Sequence, residues 1–525
     1  MMSPMPSWLS PFLLLLACCA AGSEDEPRGR ATMDRPNVLI VISDDLASVA
    51  TGTWGPGGEG LVSTPGIDAL ARRGVVFERA LCASPFCTPS RQSFLTGRWP
   101  HAIRVTQLKS TLPKDAPTLG TVFRDAGYRT AAIGKMHWMR TRVGEVEFGF
   151  DRIVGKIEWQ NQLTPEERSV LDEYNRGWSR AERKGWSMSN PEGAPLPLEE
   201  KSHIAPFLLR EAKAFMEEDG RRPFLAFLSL GEPHAPFHFP PRLLESVDPD
   251  ALPLPQVDEV LQSKEVLGLT AMLKSRRALK GPLTEDILRG VLASYLRSVL
   301  WMDEQLVALD RYLEASGRWE DTIVIFWSDN GYLLGERGHL GKNYPYREVV
   351  QVPLSIAAPG VHPSRTGELA HAIDVFPTLC ALCGIEPPGF LQGVSLEPLM
   401  RSGTPVRDQA YTEFVGQMAT LETERWKLHL GAQASAGWDQ LYDLQTDPGE
   451  IDNRFDEPDL GPILADLTRR MRDLLATTPP DGVARESWIS SSPKGEPGED
   501  IRSIRRALSL VESSRPAVAP RPAKR

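Results

Sequence analysis

Asn37-Val38-Leu39-Ile40-Val41-Ile42-Ser43, running straight into Asp44-Asp45, sets the architecture of this chain. The run is apolar at successive positions and rich in β-branched side chains, as in a strand covered on both faces inside a parallel sheet. The pattern recurs at Phe224–Leu230 (FLAFLSL), before Glu232-Pro233-His234, and at Thr322–Ser328 (TIVIFWS), before Asp329-Asn330-Gly331. A shorter version, Thr130–Ile133, leads into Gly134, Lys135 and His137. Helical periodicity fills the intervals at Ile67–Arg73, Thr118–Ala126, His203–Met216 and Ile287–Ser316. Strands alternating with helices predict an α/β fold, a large, mostly parallel sheet flanked by helices.

An Asp after a strand is commonplace as a helix N-cap. Four strand ends that each release carboxylate, amide, lysine or histidine are a different matter, because open α/β sheets carry their sites at the carboxyl ends of their strands. One active site is expected there.

Near residue 400 the pattern changes. Residues 409–417, Arg425–Leu430 and Trp438–Leu444 read as short antiparallel strands, and Asp447-Pro448-Gly449 as a turn. Ile463–Leu475 reads as an amphipathic helix with Leu467, Met471 and Leu474 on one stripe. Residues 35–400 are thus expected to form the catalytic domain, and 401–479 a smaller C-terminal domain of antiparallel sheet plus helix. Residues 480–525, rich in Ser, Pro, Gly and Arg, are expected to be a basic, largely disordered tail with one short amphipathic stretch at Ile501–Val511. Residues 151–200, with Trp159, Tyr174, Trp178 and Trp186, and residues 246–286 interrupt the core pattern. They read as loops folded over a pocket, where aromatics would stack on a ring or sugar, or as loops packed on their own domain.

At the N-terminus, an apolar run from Trp8 to Ala21 precedes Ser23-Glu24-Asp25-Glu26. It is too short to span a bilayer and has the form of a signal peptide over residues 1–22. Leu15-Leu16-Ala17-Cys18 also has the form of a lipobox, which would put a lipid anchor on Cys18. Export is expected either way, to a periplasmic or extracellular space or to the cell surface. Net charge is −10, from 59 basic and 69 acidic residues. So acidic a chain has no general attraction for nucleic acid or anionic lipid, and any anion pocket must be a local concentration of Lys, Arg, His or metal. Cys380 and Cys383 lie in an apolar helical stretch without a partner pair for zinc, and are expected as buried thiols or a local disulfide.

Cys87-Thr88-Pro89-Ser90-Arg91, with Leu95-Thr96-Gly97-Arg98 after it, resembles the signature of the type I sulfatases. These are formylglycine-dependent members of the alkaline phosphatase superfamily, in which this cysteine is oxidised to formylglycine. Gly127–His137 (GYRTAAIGKMH) is similar to the family's second signature, with Met136 in place of the customary Trp. Pro233-His234-Ala235-Pro236-Phe237, Asp329-Asn330-Gly331 and Gly338–Lys342 (GHLGK) extend the resemblance, as do Leu441-Tyr442-Asp443-Leu444, Asp447-Pro448 and Glu450 in the smaller domain.

The resemblance implies hydrolysis of aryl or carbohydrate sulfate esters. Its metal ligands would be Asp44, Asp45, Asp329 and Asn330, with an oxygen of the residue made from Cys87. Oxygen donors suit a hard cation, calcium or magnesium, over zinc, and the resemblance favours calcium. Residue 87, as a hydrated aldehyde, would attack sulfur with one hydroxyl and expel sulfate with the other. Arg91 and the cation would hold the attacking hydroxyl, and Lys135, His234 and Lys342 would clamp the sulfate. His137 would be the base for elimination, and His234 or Lys342 would protonate the departing alcohol. A formylglycine-generating enzyme is the implied partner during maturation. Arg98, His101, Glu336, Arg337 and His339 are candidates for contacting substrate or supporting the residues that do. Two other readings stay open: a formylglycine-dependent phosphonate monoester or phosphodiester hydrolase, and an unmodified sulfated-glycan binding protein.

Overall fold

Alternation along strand β1 (Asn37–Asp44) sets the layering of the large domain. Val38, Ile40 and Ile42 enter one buried apolar cluster while Leu39 and Val41 enter another, so the strand is covered on both faces. The protein is described by a computed structural model covering residues 35–138, 148–183, 195–218, 220–255, 285–342, 344–414, 417–432, 439–483, 488–489 and 497–513. The expected signal segment at residues 1–22, Trp186 and most of residues 246–286 lie outside the described residues.

The strands of this domain are β1, β2 (Val75–Leu81), β3 (Arg129–Gly134), β4 (Arg152–Val154), β5 (Phe224–Pro233), β6 (Thr322–Ser328), β7 (Leu333–Leu334), β8 (Leu340–Gly341), β9 (Leu354–Ala357) and β10 (Ser364–His371). Eight of them form one sheet in the order β10-β2-β9-β6-β1-β5-β3-β4, with β9 alone running against the rest; β7 and β8 pair separately as a hairpin. The helices are α1 (Pro65–Arg72), α2 (Cys87–Thr96), α3 (Leu119–Asp125), α4 (Lys156–Gln162), α5 (Pro165–Arg183), α6 (Ile204–Glu217), α7 (Glu285–Ala315), α8 (Arg347–Val350), α9 (Val375–Leu382) and α10 (Glu397–Ser402). α1, α4, α5, α6 and α7 cover one face of the sheet, and α2, α3, α8, α9 and α10 the other. The large, mostly parallel sheet flanked by helices is the architecture expected from the apolar runs.

The polar stretch 151–200 is more regular than loops over a pocket. Its described part is largely α4 and α5, and Trp159 is buried in the core with its indole donating to Ser202 O at 2.8 Å. Cys380 and Cys383 are free, buried thiols.

The smaller domain is a four-stranded antiparallel sheet in sequence order, β11 (Gln409–Phe414), β12 (Met418–Thr423), β13 (Trp426–Gly431) and β14 (Gln440–Asp443), covered by α11 (Gly461–Thr477) and α12 (Pro497–Ser513). β12 was not anticipated; it passes to β13 through Glu424-Arg425 without glycine or proline to mark its end. The amphipathic stretch expected at Ile501–Val511 of the tail lies on α12, and Trp488 also packs on this domain. Ile504, Ala507 and Leu508 are buried against α11, Arg472 Nη1 donates to Asp500 Oδ1 at 2.7 Å, and the Trp488 indole donates to Leu475 O at 2.8 Å. Composition averages over the tail, whereas α12 is stable because its apolar stripe meets a partner.

Candidate active site

Strand order assembles the site. β6, β1, β5 and β3 are neighbours in the middle of the sheet, so Asp329-Asn330, Asp44-Asp45, His234 and Lys135 with His137 leave adjacent carboxyl ends. Ser43 pairs with Ser328 in register, and Asp45 N donates to Asp329 Oδ1 at 3.1 Å. Asp45 has left-handed backbone, φ 67, which Tyr295 of α7 pins by donating to Asp45 O at 2.8 Å and accepting from Ala47 N at 2.7 Å. Gly134 is required where β3 ends: its φ is 107, and a Cβ there would lie 1.9 Å from Ser229 O.

The head of α2 brings Cys87 over this edge, on a helix whose ten residues are all buried. Cys87 Sγ lies 3.6 Å from Asp44 Oδ1 and 3.7 Å from Asp45 Oδ1, and meets Lys342 Nζ. Lys342 Nζ also rests on Asp45 Oδ1, and Lys135 Nζ on Asp44 Oδ2. One turn along α2, Arg91 donates from Nε to Asp329 Oδ2 at 2.6 Å and from Nη1 to Ser229 Oγ at 2.7 Å, with Nη2 3.6 Å from Asp44 Oδ1. Gln92 Nε2 donates to Met136 O at 3.2 Å and His137 O at 3.3 Å, tying α2 to the segment after β3. His234 Nε2 is 3.7 Å from Asp45 Oδ2, and its Nδ1 is 2.5 Å from Ala235 O, which fixes the proton on Nδ1. His137 stands at φ 57 with Nδ1 buried and without a hydrogen-bond partner among the described residues.

The electrostatics divide these groups. Burial raises the Asp44 carboxyl, but Lys135, His234, Arg91 and Lys342 outweigh it and hold the group well below the usual carboxylate range. Burial pushes Asp329 up to about 6, with Arg91 opposing and the charges of Asp44 and Asp45 adding. Burial lifts the Cys87 thiol well above its ordinary value against the pull of Lys342, helped by Asp329, Asp45 and Asp44. As a thiol it is therefore protonated and a poor nucleophile. Burial, with Lys135 beside it, drives His137 down to about 2, leaving a neutral imidazole.

Asp44, Asp45, Cys87 and Asp329 present ligand atoms within 4.8 Å of one another. Asn330 Nδ2 donates to Asp45 Oδ1 at 2.6 Å and Gly331 O at 2.9 Å, which leaves its Oδ1 buried and unpartnered among the described residues. A buried amide oxygen without a donor is costly and is an apt ligand for a hard cation. With the two lysines turned to an anionic ester, three carboxylates would face one guanidinium, a deficit of two charges that one divalent cation offsets. The residues fit such a cation.

Residues that sequence proximity had grouped with the site do not all reach it. Arg98 pairs with Asp481 (Nη2–Oδ1 2.6 Å), His101 bonds Glu413 Oε1 at 2.9 Å and Thr478 O at 2.8 Å, and Arg337 bonds Glu450 O at 2.7 Å. All three turn toward the C-terminal domain. Burial pushes Glu336 up to about 7, and its carboxylate accepts from Leu334 N. His339 stacks on Tyr344 with ring centroids 4.9 Å apart. Conversely, Tyr295 and Ser229 support the site without any local motif to announce them.

A buried group of three carboxylates, three cations and one cysteine at a helix head, on the carboxyl edge of an α/β sheet, defines a hydrolase-like centre compatible with a divalent cation. Residues 36–385 match the family model described as Sulfatase, and residues 335–477 the one described as N-sulphoglucosamine sulphohydrolase, C-terminal. The chain belongs to the sulfatase family. It is 27% identical to the choline-sulfatase of Rhizobium meliloti (strain 1021), over 85% of this chain and 87% of that one. It is 26% identical to the N-acetylglucosamine-6-O-sulfatase of Bacteroides thetaiotaomicron, over 86% and 88%. In fold it is similar to the phosphonate monoester hydrolase of Agrobacterium radiobacter, with a TM-score of 0.69 at 24% identity, covering 88% of this chain and 99% of that one. The protein is a sulfatase-type hydrolase of sulfate esters.

Proposed function

We propose that the protein hydrolyses aryl or carbohydrate sulfate esters through residue 87 converted from cysteine to formylglycine, with one divalent cation, calcium in preference to magnesium, held by Asp44, Asp45, Asp329, Asn330 and an oxygen of residue 87. The observation that carries this reading is the convergence on Cys87 Sγ of Asp44, Asp45 and Lys342, beside a buried Asn330 Oδ1 that lacks a donor. Conversion supplies a hydrated aldehyde with one hydroxyl for attack and another for release, and the cation supplies positive charge that favours the ionised hydroxyl.

The chain's own residues do the rest. Arg91 is fixed by Asp329 and Ser229, so its charge stays beside residue 87 at little cost in reorganisation. Lys135 and Lys342 hold the sulfate oxygens and cancel charge as it shifts between them, joined by His234 once the bound anion brings a proton to its Nε2. His137, whose Nδ1 has no hydrogen-bond partner among the described residues, takes the proton when sulfate is expelled. His234 or Lys342 gives a proton to the leaving alcohol.

Two measurements on the purified protein test this together. Intact mass should show residue 87 lighter than cysteine by about 18 Da as the aldehyde, with hydration restoring the difference. Parallel turnover of an aryl sulfate and the matching aryl phosphonate should favour the sulfate; preference for the phosphonate would select the phosphonate hydrolase reading. Sulfated-glycan binding by an unmodified, inactive protein would select the third.

Export is part of the same proposal, argued from the apolar run at residues 8–21. Fractionation of the native host should find the chain outside the cytoplasm, and a soluble cytoplasmic pool of full-length chain would overturn this. Release from the membrane fraction on Cys18→Ser would identify the lipid anchor.

A further inference from the structure

The hairpin that delivers Lys342 is fastened at its tip to the other domain. β7 and β8 pair Leu333 with Gly341 and Leu334 with Leu340, so Lys342 follows the base of the hairpin and Arg337 sits in its turn. Arg337 is 5% exposed and stands in left-handed backbone, φ 56. Its Nη1 donates to Glu450 O at 2.7 Å and its Nη2 to Gly449 O at 2.6 Å, while Nη2 lies 3.5 Å from Glu348 Oε1. The guanidinium lies 3.9 Å from the ring centroid of Tyr346.

The receiving side is equally fixed. Glu450 is likewise buried and in left-handed backbone, φ 54; its carboxylate accepts from Lys427 Nζ at 2.7 Å and from Arg347 N at 3.3 Å. Lys427, on β13, is fully buried. Asp447 Oδ2 closes the turn by accepting from Ile451 N at 2.7 Å and Asp452 N at 2.8 Å. Long side chains rarely adopt this backbone conformation unless their surroundings hold them there. A planar guanidinium bound to two carbonyls and laid on an aromatic ring is a rigid joint that lysine would not reproduce.

We propose that the Asp447–Glu450 turn of the C-terminal domain, acting through Arg337, sets the position of Lys342 against residue 87. Arg337 is a positioning residue, and the smaller domain supplies geometry to the anion clamp of the larger one. The inference rests on the reading of Lys342 as part of that clamp. A misplacement of about 1 Å in a group that holds substrate costs on the order of 10²-fold in rate.

The test uses full-length, metal-loaded protein with residue 87 checked by mass, assayed on 4-nitrophenyl sulfate. Arg337→Gln and Asp447→Ala are each made in wild-type and Lys342→Ala backgrounds. Arg337→Gln should lower kcat/KM by roughly 10- to 100-fold, and Asp447→Ala by less in the same direction, with metal content unchanged. Neither should add a further loss once Lys342 is gone, because coupled residues are not additive. Equal losses in both backgrounds, or no loss in wild type, overturn the proposal. Should Arg337→Gln fail to fold, Asp447→Ala decides by the same criterion, since that side chain is half-buried and caps a turn near the surface. A Lys342→Ala enzyme as fast as wild type would remove the clamp reading itself, a distinct result.

Discussion

Cys87→Ser is expected to lose multiple turnover, with kcat reduced on the order of 10⁴- to 10⁶-fold, the scale seen when a catalytic nucleophile is removed. Serine is close to the native side chain in volume and should sit at the head of α2 without disturbing the buried helix. Its hydroxyl can attack sulfur, and Arg91, Lys135 and Lys342 are all still in place to assist. What serine lacks is a second hydroxyl on the same carbon, so sulfate transferred to it has no internal route of release. The expected result is a burst of phenol no larger than the enzyme concentration, with about 80 Da added at residue 87 on quenching, the mass of a sulfate ester replacing a hydroxyl hydrogen. Multiple turnovers by the serine variant without modification at residue 87 would place the nucleophile elsewhere. His137→Ala should resemble it in part, with attack retained and release slowed. Lys342→Ala should instead weaken attack.

Much of this centre was legible in the sequence because its strands are buried on both faces. A strand such as Asn37–Asp44, apolar at each inner position, announces both its existence and the point where it stops, and the chemistry begins at that point. Cys87 through Arg91 was legible as a motif. The edges of the sheet were not: Ser364–His371 is largely exposed over its first half, so β10 carries no apolar signature. Tyr295 reaches Asp45 from 250 positions away and reads in sequence only as one more aromatic in a long amphipathic helix. The direction of Arg98, His101 and Arg337, left open by the sequence, is decided by the backbone. Closeness to a motif along the chain made them candidates, and the left-handed turn at Arg337 and the end of α2 at Gly97, φ 64, direct them toward the smaller domain. Backbone handedness at single residues, which composition does not report, decided where those side chains went.

Asp329→Asn is expected to separate the two jobs of that carboxylate. Asparagine keeps the shape but has one acceptor oxygen where aspartate has two, so its amide oxygen can keep the 2.6 Å contact from Arg91 Nε to Oδ2 while the 3.1 Å contact from Asp45 N to Oδ1 is lost. Asp329→Ala would be a cruder experiment, because a buried Arg91 stripped of its partner costs about 3–5 kcal/mol in stability. The charge, however, is lost in both. With asparagine there, Asp44 and Asp45 would face a cation with one carboxylate fewer, while Arg91 and the two lysines keep their positive charge. Affinity for calcium should fall by more than the roughly 10- to 100-fold that follows loss of a residue merely supporting a metal ligand. Activity at fixed calcium should fall by more than the roughly 10²- to 10³-fold expected for one lost donor to the transferring group. Titration of calcium by calorimetry, with thermal melting to verify the fold, gives a readout that does not depend on turnover. Added calcium should recover part of the rate, since occupancy is what the substitution lowers. Unchanged calcium affinity in the asparagine variant, or full activity of wild-type protein after exhaustive chelation, would show that the carboxylate cluster serves Arg91 and the lysines alone.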